Sequence, residues 1–441
     1  MVATETTALP YAAPTPQGGV STWLAPLLIV ALAVLLHQTI GRFLGDYIER
    51  VAIDVGIAIV MAVSLNIVNG YTGQFSIGHA AFFAIGGYAA ATVTYYASLL
   101  IWNSTTAVDL QTAGSFSGIG MTQSTLFVVA TILGGLLAAA AGWVVGLPSL
   151  RLRGDYLAIV TLGFGEILRV LLQQTNKQLY SLDEVRAAKI TELFPPPVGG
   201  ALGFINVPKN TTVFWVFIAV GITIVFAWRL KRSTFGRAMI AIRENEIAAE
   251  SMGVNVTKLK VRAFVFAAFF AGVAGSLYAH QTGTQINPAE GGFQRSFDIV
   301  IMVVLGGLGS ISGAVLAALI LTVANEWLRD PTAPFSFFGY DVQLWQIMLL
   351  VMVTRLLIWP ANRLKALLFW GIAIACIEML RQLSLRYGIA LGDYRMIIYA
   401  LTLILMMILR PSGLFGMSEI TDLPKMRRQI QPQPAPQGFP V

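Results

Sequence analysis

Charge, cysteine and cleavage signals are what this chain has least of. Only 12% of its 441 residues are charged, against about 25% in an ordinary soluble domain, so a soluble globular fold is excluded. The single cysteine, Cys376, lies inside an apolar run. No intrachain disulfide and no cysteine-based metal site can form from it, and a buried inert thiol is expected. No basic residue precedes Arg42, so a cleavable signal peptide, which needs a charged start, is not expected. A phosphate-binding loop of the form GxxxxGK[ST] is missing, as is any Ser/His/Asp grouping suited to hydrolysis. The chain is therefore expected not to be an enzyme, and its energy source to lie elsewhere.

Apolar length is what the chain has in abundance, with 56% of its residues hydrophobic. Runs of about 18–20 apolar residues, enough to cross a hydrocarbon core of roughly 30 Å, recur at 22–40, 51–69, 76–98, 125–147, 156–174, 211–230, 261–280, 298–328, 342–358, 366–381 and 393–410. The expected fold is all-α, a polytopic membrane bundle of about 10–12 segments. Its membrane domain covers 22–416, between polar, proline-containing tails at 1–21 and 417–441 that read as mobile.

One stretch breaks the apolar pattern. Residues 229–262 hold eight basic side chains (Arg229, Lys231, Arg232, Arg237, Arg243, Lys258, Lys260 and Arg262) and three acidic ones (Glu244, Glu246 and Glu250), a net charge of +5. Each charge costs about 2.5–3.5 kcal/mol at a bilayer centre, so this loop, 231–260, lies in water. Its sign places that water in the cytoplasm. The formal net charge of +7 is explained by such loops and calls for no nucleic-acid partner.

Counting spans from the loop puts the N-terminus inside. The C-terminus falls inside as well if 298–328 is two pieces broken near GGLGSISG, at 306–313. That reading is preferred over a single tilted helix, because tandem glycines weaken helices and broken helices are tolerated where protein surrounds them. A comparable glycine-rich stretch, 70–91, lies in the first half, which hints at internal duplication; tight helix packing explains it equally well.

Inside the charged loop, 237–251 has good helix formers and no proline, with Gly253 placed to supply a left-handed cap. On one continuous helix Arg243, Glu246 and Glu250 share a face. The mixed charge argues against the lipid surface and for a groove on another protein.

The run GRAMIAIRENEIAAESMGVNVTKLKVRAFVFAAFFAGVAGSLYAH, residues 236–280, resembles the LivM-type permeases of branched-chain amino-acid ABC transporters. So do NIVNGYTGQFSIGHAAFFAIGGYAAA (66–91), RLRGDYLAIVTLGFGEILR (151–169), FDIVIMVVLGGLGSISGAVLAA (297–318) and YRMIIYALTLILMMILRPSGLFG (394–416). The resemblance implies that the loop helix is a coupling helix, with the pattern at 241–249 as the coupling motif. Arg237, Ala241, Arg243, Glu244, Asn245, Glu246, Ala249 and Gly253 are its candidate residues.

It further implies two separate ATP-binding subunits that carry ATP and Mg, with no cofactor on this chain. A LivH-type permease as heterodimer partner, a periplasmic amino-acid binding protein and surrounding membrane lipid complete the expected company, in the bacterial cytoplasmic (inner) membrane. Two departures stand out. An extra hydrophobic pair occupies 342–381, and 181–204 replaces the family's TGG-x-x-GI stretch, leaving Gly199 and Gly200. Related permeases carry urea or short amides, so the substrate stays open between those and branched-chain amino acids.

Within the spans Gly73, His79, Glu166, Arg169, Gly306 and Gly307 are candidates for either the pathway or packing. Glu166 is an intramembrane carboxylate, but Arg169 at i+3 is placed to neutralise it. A lone His79 amid small residues reads as a packing hydrogen-bonder, and no second ligand nearby supports a metal. Asn66, Asn69 and Gln74 line a pore or join helices. A stand-alone ion-coupled transporter is the rival of another class, with Glu166 and Asp54 as its only fair candidates.

Overall fold

The computed structural model describes residues 24–43, 45–102, 120–149, 155–188, 196–282, 285–329, 335–337 and 340–343, with scattered single positions between 345 and 419. Twelve α-helices are traced among the described residues. They are α1 (Leu24–Phe43), α2 (Gly45–Asn66), α3 (His79–Trp102), α4 (Gly120–Ser149), α5 (Asp155–Gln173), α6 (Leu182–Ala187), α7 (Val213–Arg232), α8 (Thr234–Glu244), α9 (Glu246–Ser251), α10 (Val256–Thr282), α11 (Phe293–Gly306) and α12 (Ile311–Arg329). Six segments among the described residues are long and apolar enough to cross a membrane, including Gly45–Tyr71 and Val256–Gln281. The all-α membrane bundle is therefore what the chain forms. The extra pair at 342–381 lies largely outside the described residues, as do both tails apart from Glu419.

Burial sorts the spans. Within Gly45–Tyr71 the apolar window is 83% buried, against 22% within Tyr156–Gln173; α2 is thus a central post and α5 a peripheral one. Around α2 stand α7, α10, α11 and α12, while α3, α4 and α10 form a close trio. Small residues set that closeness: at the α3–α10 crossing, a Cβ on Gly86 would run into the backbone of Gly272. Without a hydrophobic drive between helices in lipid, such backbone approach and the dispersion contact it allows are what hold spans together.

Two helices are broken at the same end of the molecule. After α2 the chain makes a π-turn at Ile67–Tyr71 and runs non-helically to His79. Between α11 and α12, residues 307–310 leave the helix, so 298–328 is indeed two pieces. At the opposite end, the short strands β1 (Phe204–Ile205) and β2 (Gln285–Ile286) pair antiparallel, Phe204 with Ile286. Gln178 fastens to that ladder, donating to Ile205 O at 2.8 Å and accepting from Ile205 N at 2.9 Å. A second hairpin, β3 (Phe335–Phe337) with β4 (Tyr340–Val342), follows α12.

Candidate functional site: the ionic elbow and the two broken helices

The charged loop folds as an elbow of two helices. Three basic residues, Arg229, Lys231 and Arg232, end α7, where they complement the helix dipole. The Ser233 hydroxyl then caps α8, accepting from Gly236 N at 3.1 Å. One continuous helix over 237–251 is not what forms. At Asn245 the backbone swings to φ −158°, ψ 109° and the side chain accepts from Ala248 N at 3.0 Å, capping a separate α9. The expectation weighed the good helix formers and the absence of proline but not the cap; asparagine is a poor helix-interior residue and among the best N-caps.

The break undoes the shared face of Arg243, Glu246 and Glu250. Arg243 turns inward, whereas Glu246 pairs with Lys260 at 2.9 Å and Glu250 stays exposed. Arg237, Ala241 and Glu244 are exposed as well, and Ala249 is buried. Gly253 has φ +81°, and Val254 N closes back on Ala249 O at 3.1 Å, a left-handed helix ending of the expected kind. The outer surface of the elbow is apolar at Ile247 (69% exposed) and Met252 (85%).

Arg243 reaches both broken helices. Its Nη1 donates to Gly70 O at 2.7 Å and to Leu308 O at 3.3 Å. Those carbonyls lost their helical donors where the helices stop, and a guanidinium supplies several N–H groups in fixed directions. Glycines make the room. Any Cβ on Gly73 would meet the Arg243 stem, and one on Gly309 would meet its guanidinium; both also hold positive φ, +69° and +90°.

Beneath Arg243 the breaks are stitched to each other by Asn66, 1% exposed. Its Nδ2 donates to Ser310 O at 3.1 Å, and its Oδ1 accepts from Gly309 N at 2.8 Å. Gly306 and Gly313 face one another with no room for a Cβ on either, and Gly307 ends α11 at φ +107°.

A second basic residue completes the knot. Lys231 Nζ donates to Gly309 O at 2.7 Å and to Glu419 Oε1 at 2.5 Å. Glu419 also accepts from Ile311 N and Ser312 N, each at 3.0 Å. Position 419 and the elbow therefore share one end of the molecule. Burial alone would raise the Glu419 carboxyl. The Lys231 ammonium, with the Ser312 and Ile311 donors, outweighs it and holds the group below the ordinary carboxylate range.

The remaining candidates make contacts within the bundle. His79 lies 2.8 Å from the Ser64 hydroxyl through Nε2. Asn69 and Ser76 exchange contacts across the loop, Ser76 N donating to Asn69 Oδ1 at 3.2 Å, and Gln74 accepts from Thr72 at 3.2 Å. Glu166 pairs with Arg169 at 2.7 Å and accepts from Phe293 N at 2.9 Å, capping α11. This pair sits in the seam between α5 and α11, away from the elbow. Among the described residues no group of three potential metal ligands occurs.

Sequence reasoning did not find Lys231 and Glu419 as partners, since 188 positions separate them. Asn66 did carry a signal: it is an amide at the very end of a long apolar run.

Residues 47–359 match the family described as branched-chain amino acid transport system / permease component. Of curated relatives, the high-affinity branched-chain amino acid transport system permease protein LivM of Escherichia coli K12 is 34% identical over 357 residues, covering 75% of this chain and 73% of its own. A probable LivM permease of Methanocaldococcus jannaschii is 27% identical, covering 64% and 81%. The LivH permease of Salmonella typhimurium is 27% identical as well, covering 60% and 80%. No solved structure matches.

Proposed function

The chain belongs to the branched-chain amino acid transport permease family, and within it we propose the LivM-type, channel-forming subunit of an ATP-driven importer. Its cargo is branched-chain or related neutral amino acids, and its place the bacterial inner membrane with the elbow in the cytoplasm. One observation carries the mechanism: Arg243 of the elbow holds Gly70 O and Leu308 O together, so the loop that meets the cytoplasm is bonded to both helix breaks. These breaks, joined by Asn66, are the closed inner gate.

Two separate ATP-binding subunits, which carry ATP and Mg, seat on the apolar outer surface at Ile247 and Met252. Their closure moves α8 and α9, draws Arg243 off the two carbonyls and lets the Asn66 joint part. A LivH-type permease supplies the other half of the passage. A periplasmic receptor delivers substrate at the end where β1 and β2 pair.

Reconstitution with these partners tests the proposal. Arg243→Ala is expected to weaken the closed gate by about tenfold or more, the equivalent of a lost charge-assisted hydrogen bond, so that accumulated leucine leaks back and net ATP-driven accumulation falls while ATP hydrolysis continues. Wild-type uptake in this variant sinks the gate. Leucine accumulation by the chain alone, driven by an imposed ion gradient, sinks the importer reading in favour of a secondary transporter.

A further inference from the structure

At the end of the bundle opposite the elbow, a cavity of about 670 Å³ opens between α2, α10, α11, α12 and the residues ahead of α7. That volume lies in the range of small-molecule sites. Its wall carries charges of both signs, five acidic and three basic residues, beside apolar side chains such as Met61, Ile299 and Met302. Most of these charges stand at helix ends, but Asp54 lies inside the apolar span Gly45–Tyr71, and an ionisable group there is costly and tends to mark a substrate route. An apolar or neutral cargo such as urea has no use for paired opposite charges, whereas an amino acid is itself a zwitterion.

In the wall Asp54 Oδ1 accepts from Gln281 Nε2 at 2.9 Å. Gln281 Oε1, Thr322 Oγ1 and Asn325 Oδ1 are buried without a hydrogen-bond partner, and all three residues line this cavity. Among the described residues only one other side-chain atom, His37 Nδ1, shares that condition. Unmet buried oxygens are destabilising and call for an explanation. With its amide nitrogen committed to Asp54, Gln281 offers an acceptor, and a carboxylate in a cavity that also holds three unmet oxygens suits a donor with several N–H groups. Arg295 lines the same cavity, braced over the rings of Phe83 and Tyr278 at 5.2 and 5.1 Å and 3.5 Å from Glu290. One long ion pair leaves most of the five guanidinium N–H donors for another carboxylate.

We propose that this cavity is a substrate station on the permease chain itself: Asp54, Gln281, Thr322 and Asn325 take the α-ammonium of an amino acid, Arg295 takes its α-carboxylate, and Met61, Ile299 and Met302 receive the side chain. The assignment rests on the importer reading above and adds to it a site and a reason for excluding uncharged amides. Asp54 is then an ammonium ligand rather than an ion-coupling carboxylate.

Maleimide labelling of the full chain in lipid nanodiscs tests it, with Met302→Cys as the reporter on a Cys376→Ser background. Leucine at about ten times its half-saturating concentration is expected to slow labelling about tenfold, because only the unoccupied fraction reacts; urea is expected to leave the rate unchanged. Asp54→Asn or Gln281→Leu is expected to raise the leucine needed by about tenfold or more while leaving protection by 4-methylpentanoate, which lacks the ammonium, unaltered. Arg295→Gln should spare protection by 3-methylbutylamine, which lacks the carboxylate, and Arg295→Lys should restore part of the leucine response.

Equal protection by leucine and urea, or variants that respond as the parent does, overturns the site. Leucine uptake by the reconstituted importer with no leucine protection overturns the site alone. Protection by leucine without ATP-driven uptake keeps the site and overturns the importer reading.

Discussion

At the residue scale, Asn66 shows how one side chain joins segments far apart in sequence. Both ends of its amide are used, one on Ser310 O and one on Gly309 N, in a place with no water-facing surface. An isosteric apolar residue there strands a buried donor and a buried acceptor, at about 1–3 kcal/mol each. Asn66→Leu is accordingly expected to lower the unfolding midpoint in detergent and, in the reconstituted importer, to leak solute without ATP. A variant as stable and as tight as the parent would show that the joint is held by glycine packing instead. The candidates Gly73 and Arg243, weighed separately in sequence, prove to be one feature, since the glycine is where the arginine passes.

At the element scale, the elbow is two short helices because Asn245 caps the second. A bend gives the loop two functions that one straight helix would confuse. α8 turns Met239 and Ile242 into the core with Arg243 beside them, while α9 keeps Ile247 facing outward. Removing the cap in Asn245→Ala is expected to destabilise α9 by about 1 kcal/mol, read as faster amide exchange at 247–251 with exchange in α8 unchanged. Unchanged exchange throughout would place the bend in the packing of Ile242 and Ala249.

At the scale of the molecule, Glu419 ties the far end of the chain to the elbow through Lys231 and to the start of α12. Its carboxyl is held below the ordinary range, so its contribution is complete above the unfolded carboxylate value, about 4.3 for Glu. It is lost as pH falls through the lower folded value. Limited proteolysis past position 416 is expected to be slow at neutral pH and fast in acid. Glu419→Gln should be cut at both, and equal cutting of parent and variant at neutral pH would remove Glu419 from the latch.

Membrane class, the spans up to 329, the break in 298–328 and the ionic elbow were legible along the chain, because each follows from local hydropathy, glycine spacing or charge, which one segment states by itself; the spans expected at 342–358, 366–381 and 393–410 lie largely outside the described residues. The bend at Asn245 was written there too, in a capping residue outweighed by good helix formers around it. What only the tertiary structure decided is which polar groups meet. Arg243 with Gly70 and Leu308, Lys231 with Glu419, and Asp54 with Gln281 are pairings between separate helices. Apolar spans look alike in composition, and their order around α2 is set by shape and by buried hydrogen bonds that exist only once the helices have packed.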